Sequence, residues 1–225
     1  QRTWFLKRSL LCQHSNFFRA ACYGQWEEGN ENRIILADED PRVFADFVDF
    51  MQSNIYSLNT LIEGFNMVPS HAKAWVLGDK LGALSFRTAA LHKLHQYFIP
   101  YSLDPYISAF SSPIRPIDIA YICTHTAPLY SPFNHPSSSA LRSLFFDAVS
   151  SHWARIDILN IDEAMDICGE ELSWRDVYTA YGDFKDHLVD SLKVPDAWRN
   201  VCLRDVEVYL GLGVKKEEAE EDKVV

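Results

Sequence analysis

Phe5-Leu6-Lys7-Arg8-Ser9-Leu10-Leu11-Cys12-Gln13-His14-Ser15-Asn16-Phe17-Phe18 is the stretch on which the reading of this 225-residue chain turns. Its pattern predicts the end of a strand running into two short helices. Apolar side chains recur at Phe5, Leu10, Leu11, Phe17 and Phe18, and Ser15 falls between the two helical pieces. A Ser at that place caps the second helix, because its hydroxyl accepts a hydrogen bond from an orphan amide of the first turn. The phenylalanines that follow are then expected to point into a core.

Working outward, Gly24 is placed to end the second helix as a C-cap, and the polar run from Gln25 to Asn32 reads as a turn-rich connection. Arg33-Ile34-Ile35-Leu36 predicts a short buried strand. Asp38-Glu39-Asp40-Pro41 is a helix-start signal, with carboxylates in front and Pro in the first turn. Val43, Phe44, Phe47, Val48, Phe50 and Met51 give the helix behind it an apolar face. That face is core, or else a groove for a partner; periodicity alone does not divide the two. After a loop over 57–70 holding Leu61, Ile62 and Phe65, a helix is expected over His71–Leu81 and another over Ser85–Phe98. Gly78 allows close packing of the first of these, and Gly82 stops it in the left-handed region. Phe17, Phe18, Leu36, Phe44, Phe47 and Leu81 are the expected contacting core.

This succession resembles a BTB/POZ domain. The opening of that family carries an aromatic, a basic residue after His, a Leu, a Ser and a closing aromatic pair; Phe5, Arg8, Leu11, Ser15, Phe17 and Phe18 fit, while Lys7 stands in place of the His. An Ile-x-Leu strand, acidic residues with Pro and a Phe-bearing helix follow in order at Ile34–Leu36, Asp40-Pro41 and Phe44, Phe47 and Phe50. Val76-Leu77-Gly78-Asp79-Lys80-Leu81-Gly82 is similar to the next helix of the family. Gln52-Ser53-Asn54-Ile55-Tyr56 departs from the usual Tyr-Thr-Gly. The family also has a strand pair with an Asp ahead of this segment, facing the basic position of Arg8. Only three residues precede Trp4, and the first residue is Gln, so the chain reads as N-terminally incomplete and is expected to be monomeric or weakly dimeric.

Beyond Phe98 the composition shifts. Pro100, Pro105, Pro113 and Pro116 are too many for one helix. Helices are expected over Ile117–Thr126, over Ala140–Trp153 behind a Ser139 cap, over Asn160–Cys168, over Trp174–Leu192 behind a Ser173 cap, and from Pro195 to about Leu210. This part resembles the helical extension of many fungal BTB proteins. The expected division is residues 1–98 as the BTB/POZ-like domain, 99–213 as the extension and 214–225 as an acidic disordered tail, dispensable for stability.

Composition bounds the function. Hydrophobic residues make up 48%, enough for a packed core. A formal net charge of -10 argues against direct nucleic-acid binding, which needs basic patches. The 5 cysteines are odd in number and lack CxxC spacing, which favours a reduced intracellular setting, nucleus or cytoplasm. No apolar run is long enough to span a bilayer. His92 and His95 share a helix face but lack a third metal ligand. Cys123 with His125 has the residue types of a thiol nucleophile and base, yet Cys123 sits on the apolar face with Ile119 and Ile122. Asp162, Glu163, Asp166, Glu170 and Glu171 lack the spacing of a calcium loop. Ser112-Pro113 and Ser131-Pro132 are loop dipeptides without weight.

The resulting expectation is an α+β, mostly helical fold: a BTB/POZ-like helical cluster with a small β-sheet, then an all-helical extension. The resemblance implies a non-enzymatic protein–protein interaction module that oligomerises, as an adaptor for a cullin ubiquitin ligase or a component of a transcription regulator. The residues it assigns to interaction are Phe5, Lys7, Arg8, Leu11, Ser15, Phe44 and Phe47. The partners are proteins, either itself in a dimer or a cullin, with no cofactor, metal, small-molecule substrate, nucleic acid or membrane. The alternative is a small helical enzyme with a Cys/His site.

Overall fold

The computed structural model describes residues 2–23, 33–58, 67–104, 112–129, 140–161 and 172–212. Two compact units divide the chain, Gln1–Leu94 and His95–Val225. Helices α1 (Arg8–His14), α2 (Asn16–Tyr23), α3 (Pro41–Ser53) and α4 (Val68–Lys80) belong to the first, and α5 (Leu84–Ser102) continues from the first into the second. The second then holds α6 (Pro116–His125), α7 (Ala140–His152), α8 (Arg155–Leu159), α9 (Trp174–Ala180), α10 (Gly182–Ser191), a 3-10 turn over Asp196–Cys202, and α11 (Val206–Tyr209).

The helix starts and stops of the first unit follow local chemistry. Asp40 accepts from Arg42 N (2.9 Å) and Pro41 opens α3. Asn54 ends it at φ 55, in the left-handed region that Asn tolerates. Helix α4 closes on Gly82 at φ +57, with Gly82 N donating to Asp79 O (3.0 Å) and Ala83 N to Gly78 O (2.7 Å). These two bonds are the paired C-terminal closure that a left-handed glycine makes possible. Gly78 does bring backbones together: a Cβ there would lie 3.0 Å from the Arg87 Cβ of α5.

An aromatic chain forms the core of this unit. Phe18, Phe44, Phe47 and Phe86 follow one another at centroid distances of 6.3, 6.1 and 5.1 Å, and Phe50 meets Phe86 at 5.2 Å. Such tilted and edge-to-face pairs contribute beyond their area. Beside them His71 is buried, its Nδ1 2.9 Å from the Tyr56 hydroxyl.

Three expectations need correction here. Arg33–Leu36 is not a buried strand; Ile35 is 62% exposed, and no strand occurs among the described residues. An extended segment becomes a strand only by pairing, and 33–36 has no strand partner among them. Phe17 is not core either, and Leu36 is only half-buried. Phe18, Phe44, Phe47 and Leu81 are buried as expected. The third concerns α5, which runs past Phe98 through Pro100 to Ser102. Proline this close to a helix end withholds one amide with few later bonds to disturb.

Helix α7 is the centre of the second unit, with 12 of its 13 residues buried, Ser143 being the half-buried one. It packs against α6, α10, α11 and the 3-10 turn. Its polar side chains hold those neighbours. Arg142 Nη1 meets Asp183 Oδ2 of α10 at 2.5 Å, and its other nitrogens donate to the Cys123 and Thr126 carbonyls and the Thr126 hydroxyl at the end of α6. Those donors satisfy carbonyls that a helix C-terminus leaves orphaned. Asp147 Oδ2 accepts from Arg204 Nε and from the Tyr209 hydroxyl, both at 2.7 Å, and its Oδ1 lies 2.9 Å from His187 Nε2. Arg199 of the 3-10 turn, also buried, donates to the Ser150 carbonyl of α7 (2.9 Å) and to Ser191 O and Oγ (3.2 and 2.9 Å).

The expected single helix over 174–192 is broken. Ser173 caps α9 by accepting from Asp176 N (3.1 Å), but Tyr181 is extended (φ -117, ψ 94) and α10 begins at Gly182. Glycine weakens a helix interior, and Tyr181 serves both as the stop of one helix and the start of the next. The segment after Pro195 is a 3-10 turn and a short α11, not one helix to Leu210. The Gly24 cap, the Gln25–Asn32 connection, Leu61, Ile62 and Phe65, Pro105, Ser131-Pro132, the Ser139 cap, all of the helix expected over Asn160–Cys168 but its first two residues, the acidic cluster from Asp162 to Glu171 and the tail over 214–225 lie outside the described residues.

Phe47→Ala, which removes a fully buried ring, is expected to destabilise the first unit by about 3–5 kcal/mol, read as a lower urea midpoint. Acid should destabilise both units. Burial, helped by the charge of Lys93, lowers the pKa of His71 to about 4, and burial with the nearby Arg199 does the same for His152, against the Ala148 carbonyl. Between the ordinary histidine value near 6.5 and about 4, the unfolded chain takes up protons that the folded chain refuses. Stability is therefore complete above the upper bound and falls as pH drops through that window. Denaturation at a series of pH values measures the slope, which His71→Gln should make shallower.

Candidate protein-interaction face

Helices α1 and α2 form an antiparallel hairpin. The Arg8 guanidinium lies 5.2 Å from the centre of the Tyr23 ring, and Arg19 Nε donates to the Cys12 carbonyl at 3.0 Å. The turn between the helices is pinned by one side chain. Ser15 Oγ accepts from Phe18 N (3.1 Å), the cap its position predicts, and donates to the Leu81 carbonyl at the end of α4 (2.6 Å). Phe17 N donates to the same Leu81 oxygen (3.1 Å) and Asn16 N to Gly82 O (3.4 Å). A Cβ on Gly82 would lie 3.0 Å from that of Asn16, so the approach needs glycine twice over, for its φ and for its lack of side chain.

This anchorage sets which side of the hairpin faces in. Cys12 and Phe18 are buried, His14 meets Phe50 at 6.0 Å, and Trp4 packs edge-on to Phe44 at 4.9 Å. Facing out are Phe5 (97% exposed), Tyr23 (72%) and Phe17 (40%), with Lys7 and Arg8 also exposed. Leu11 is half-buried between the two sides. The seven residues assigned from sequence thus separate. Phe5, Lys7 and Arg8 reach the surface, whereas Ser15, Phe44 and Phe47 lie in the interior beneath it.

Two contributors escaped the sequence reading. Tyr23 lies in the last turn of α2, beyond the quoted pattern, and its proximity to Arg8 follows only from the hairpin register. Leu81 was expected as a core side chain; its carbonyl is the second anchor, and a backbone acceptor leaves no trace in sequence.

Residues 1–68 match the BTB/POZ domain. This part of the chain is a BTB/POZ domain. The family is one of protein–protein interaction modules. Neither the curated proteins nor the solved structures gave a match to this chain. The BTB/POZ match takes in α1 to α3 and ends where α4 begins, while the compact unit that contains it continues to Leu94.

The residues of the rival readings have other surroundings. Burial pushes the Cys123 thiol up to about 12, far from the thiolate that nucleophilic attack needs. His125 turns its Nδ1 to the Tyr121 carbonyl of its own helix (2.8 Å). A half-open cavity of about 260 Å³ in the second unit is lined by His152 and Arg199 among others, not by Cys123 or His125. His95 uses Nε2 on the Arg204 carbonyl at 2.9 Å, and no group of three or more His, Cys, Asp or Glu placed for a metal occurs among the described residues. Nor is any helix there long and apolar enough to cross a membrane.

Ser15→Ala is expected to cost about 2 kcal/mol, since the helix cap and the tie to α4 go together. The chemical-denaturation midpoint of the chain checks it, with Ser9→Ala, an exposed position of α1, as the neutral comparison.

Proposed function

We propose that the chain is an interaction module that assembles with itself or with other proteins through the outward face of the α1–α2 hairpin. The observation that carries this reading is the exposure of Phe17 and Tyr23 on a hairpin whose other side is fixed in the core, with Phe5 exposed in the segment just ahead of α1. Aromatic side chains set beside an Arg are the composition of interface hot spots, because they bury large area with little conformational freedom to lose. Lys7 and Arg8 add positive charge on a chain whose net charge is -10, so the face is complementary to acidic surfaces, including others of this same protein. Within the settings served by BTB/POZ proteins, we assign it to an adaptor of a cullin ubiquitin ligase ahead of a transcription regulator, with the helical second unit as the arm that meets the substrate.

Sedimentation equilibrium tests the face directly. The unmodified chain should show a weight-average mass that rises with concentration, and the double change Phe5→Asp with Tyr23→Asp should hold it at the monomer value. Capture by a purified cullin N-terminal domain tests the adaptor assignment separately. A chain that stays monomeric at all concentrations and also fails to hold the cullin would remove the reading.

A further inference from the structure

We propose that Cys12 and Cys22 are a redox-reactive pair that closes into an intrachain disulfide, stapling α1 to α2. The hairpin register brings them together. Arg8 faces Tyr23 and Cys12 faces Arg19, so Cys12 lies over the side of α2 that carries Phe18 and, four residues on, Cys22. The Cys12 thiol donates to the Phe18 carbonyl at 3.9 Å. Cys22 is the next side chain along that ridge, four residues from Phe18, and the two thiols are near enough to influence each other electrostatically. Their exposures differ in a useful way, for Cys12 is buried and Cys22 is half-exposed. An external reagent therefore meets Cys22 first and leaves Cys12 to resolve the adduct. Burial and the neighbouring Cys22 push the Cys12 thiol up, against the opposing charges of Arg8 and Arg19, which suits Cys12 to the second, intramolecular step and not the first.

The chemistry is exchange with a small disulfide such as oxidised glutathione. The Cys22 thiolate attacks one glutathione sulfur; that sulfur–sulfur bond breaks, a mixed disulfide forms, and a glutathione thiolate leaves. The Cys12 thiolate then attacks the Cys22 sulfur, and the second glutathione thiolate leaves. Two protein thiols are oxidised by two electrons in total, one glutathione disulfide is reduced to two glutathiones, and the two protons pass to the departing thiolates. The inference is independent of the interaction reading above, since it depends only on the packing of the two helices.

Trypsin separates the two positions, because Arg8, Arg19 and Arg33 bracket them: Cys12 lies in the peptide Ser9–Arg19 and Cys22 in Ala20–Arg33. The intact chain is incubated with oxidised glutathione, quenched in acid, alkylated under denaturing conditions and digested. Expected are the two peptides joined with the loss of two hydrogens, both cysteines lost to alkylation together, and full recovery with dithiothreitol. In Cys12→Ser, Cys22 should instead keep its glutathione; in Cys22→Ser, Cys12 should stay reduced. Should either variant fail to fold, the map of the unmodified chain still decides. A stable glutathione adduct on Cys22 beside a freely alkylated Cys12, or linkage of either only to another cysteine or another chain, would overturn the proposal.

Discussion

One hydroxyl group decides the geometry of the interaction face. Ser15 is nearly inaccessible, and its oxygen serves two masters: the first turn of α2, whose amide it accepts, and the last carbonyl of α4, to which it donates. A cap alone would start α2 but leave it free to swing. The second bond fixes where α2 starts in space, and Gly82 gives it room. Everything outward of that point follows from the register it sets, including which aromatics are covered and which are left in water. Phe18 is turned down to Phe44, while its neighbour Phe17 is turned out.

The second unit is built on a different constraint. Its central helix is covered on nearly all sides, yet it contains an Arg, an Asp, a His and three Ser residues. Buried charges are tolerated when paired and hydrogen-bonded, and here each ties the helix to more than one neighbour. Arg142 binds the end of α6 and an acid of α10, Asp147 binds α10 and the segment through α11, and the carbonyl of Ser150 receives Arg199. Apolar packing alone is indifferent to small slides and rotations of helices. Ionic and directional contacts of this kind are not, and they select one arrangement of short helices that lack long apolar seams.

Local signals were the legible ones. The Asp40-Pro41 start, the Ser15 and Ser173 caps and the Gly82 stop act within a few residues of themselves, and each does in the structure what its chemistry predicts. Ile34 to Leu36 has the composition of a strand, but a strand exists only with a neighbour, which no window of sequence contains. Phe17 and Phe18 are alike in composition and opposite in fate, because a tertiary register separates them. Over 174–192 the apolar spacing suggested one helix, and the single Gly182 with the extended Tyr181 was enough to divide it. Arg142 and Asp147 were passed over because charged residues are as a rule exposed, and their partners lie up to 62 positions away. For the face itself, Phe5, Lys7 and Arg8 were readable from the resemblance; Tyr23 was not, since only the folded hairpin sets it beside Arg8.

The separation of Asp147 from its partners has a meaning in time as well as in space. Arg204 and Tyr209 follow it by 57 and 62 residues. A ribosome adding on the order of 5–20 residues per second makes that gap last roughly 3–12 seconds. Until Arg204 and Tyr209 are made the nascent helix carries a carboxylate intended for the interior with both donors to its Oδ2 missing. It must stay hydrated, and a hydrated Asp147 keeps α7 from burying that side against anything else. The same residue that locks the finished unit thus works against closing it before the late segment has arrived.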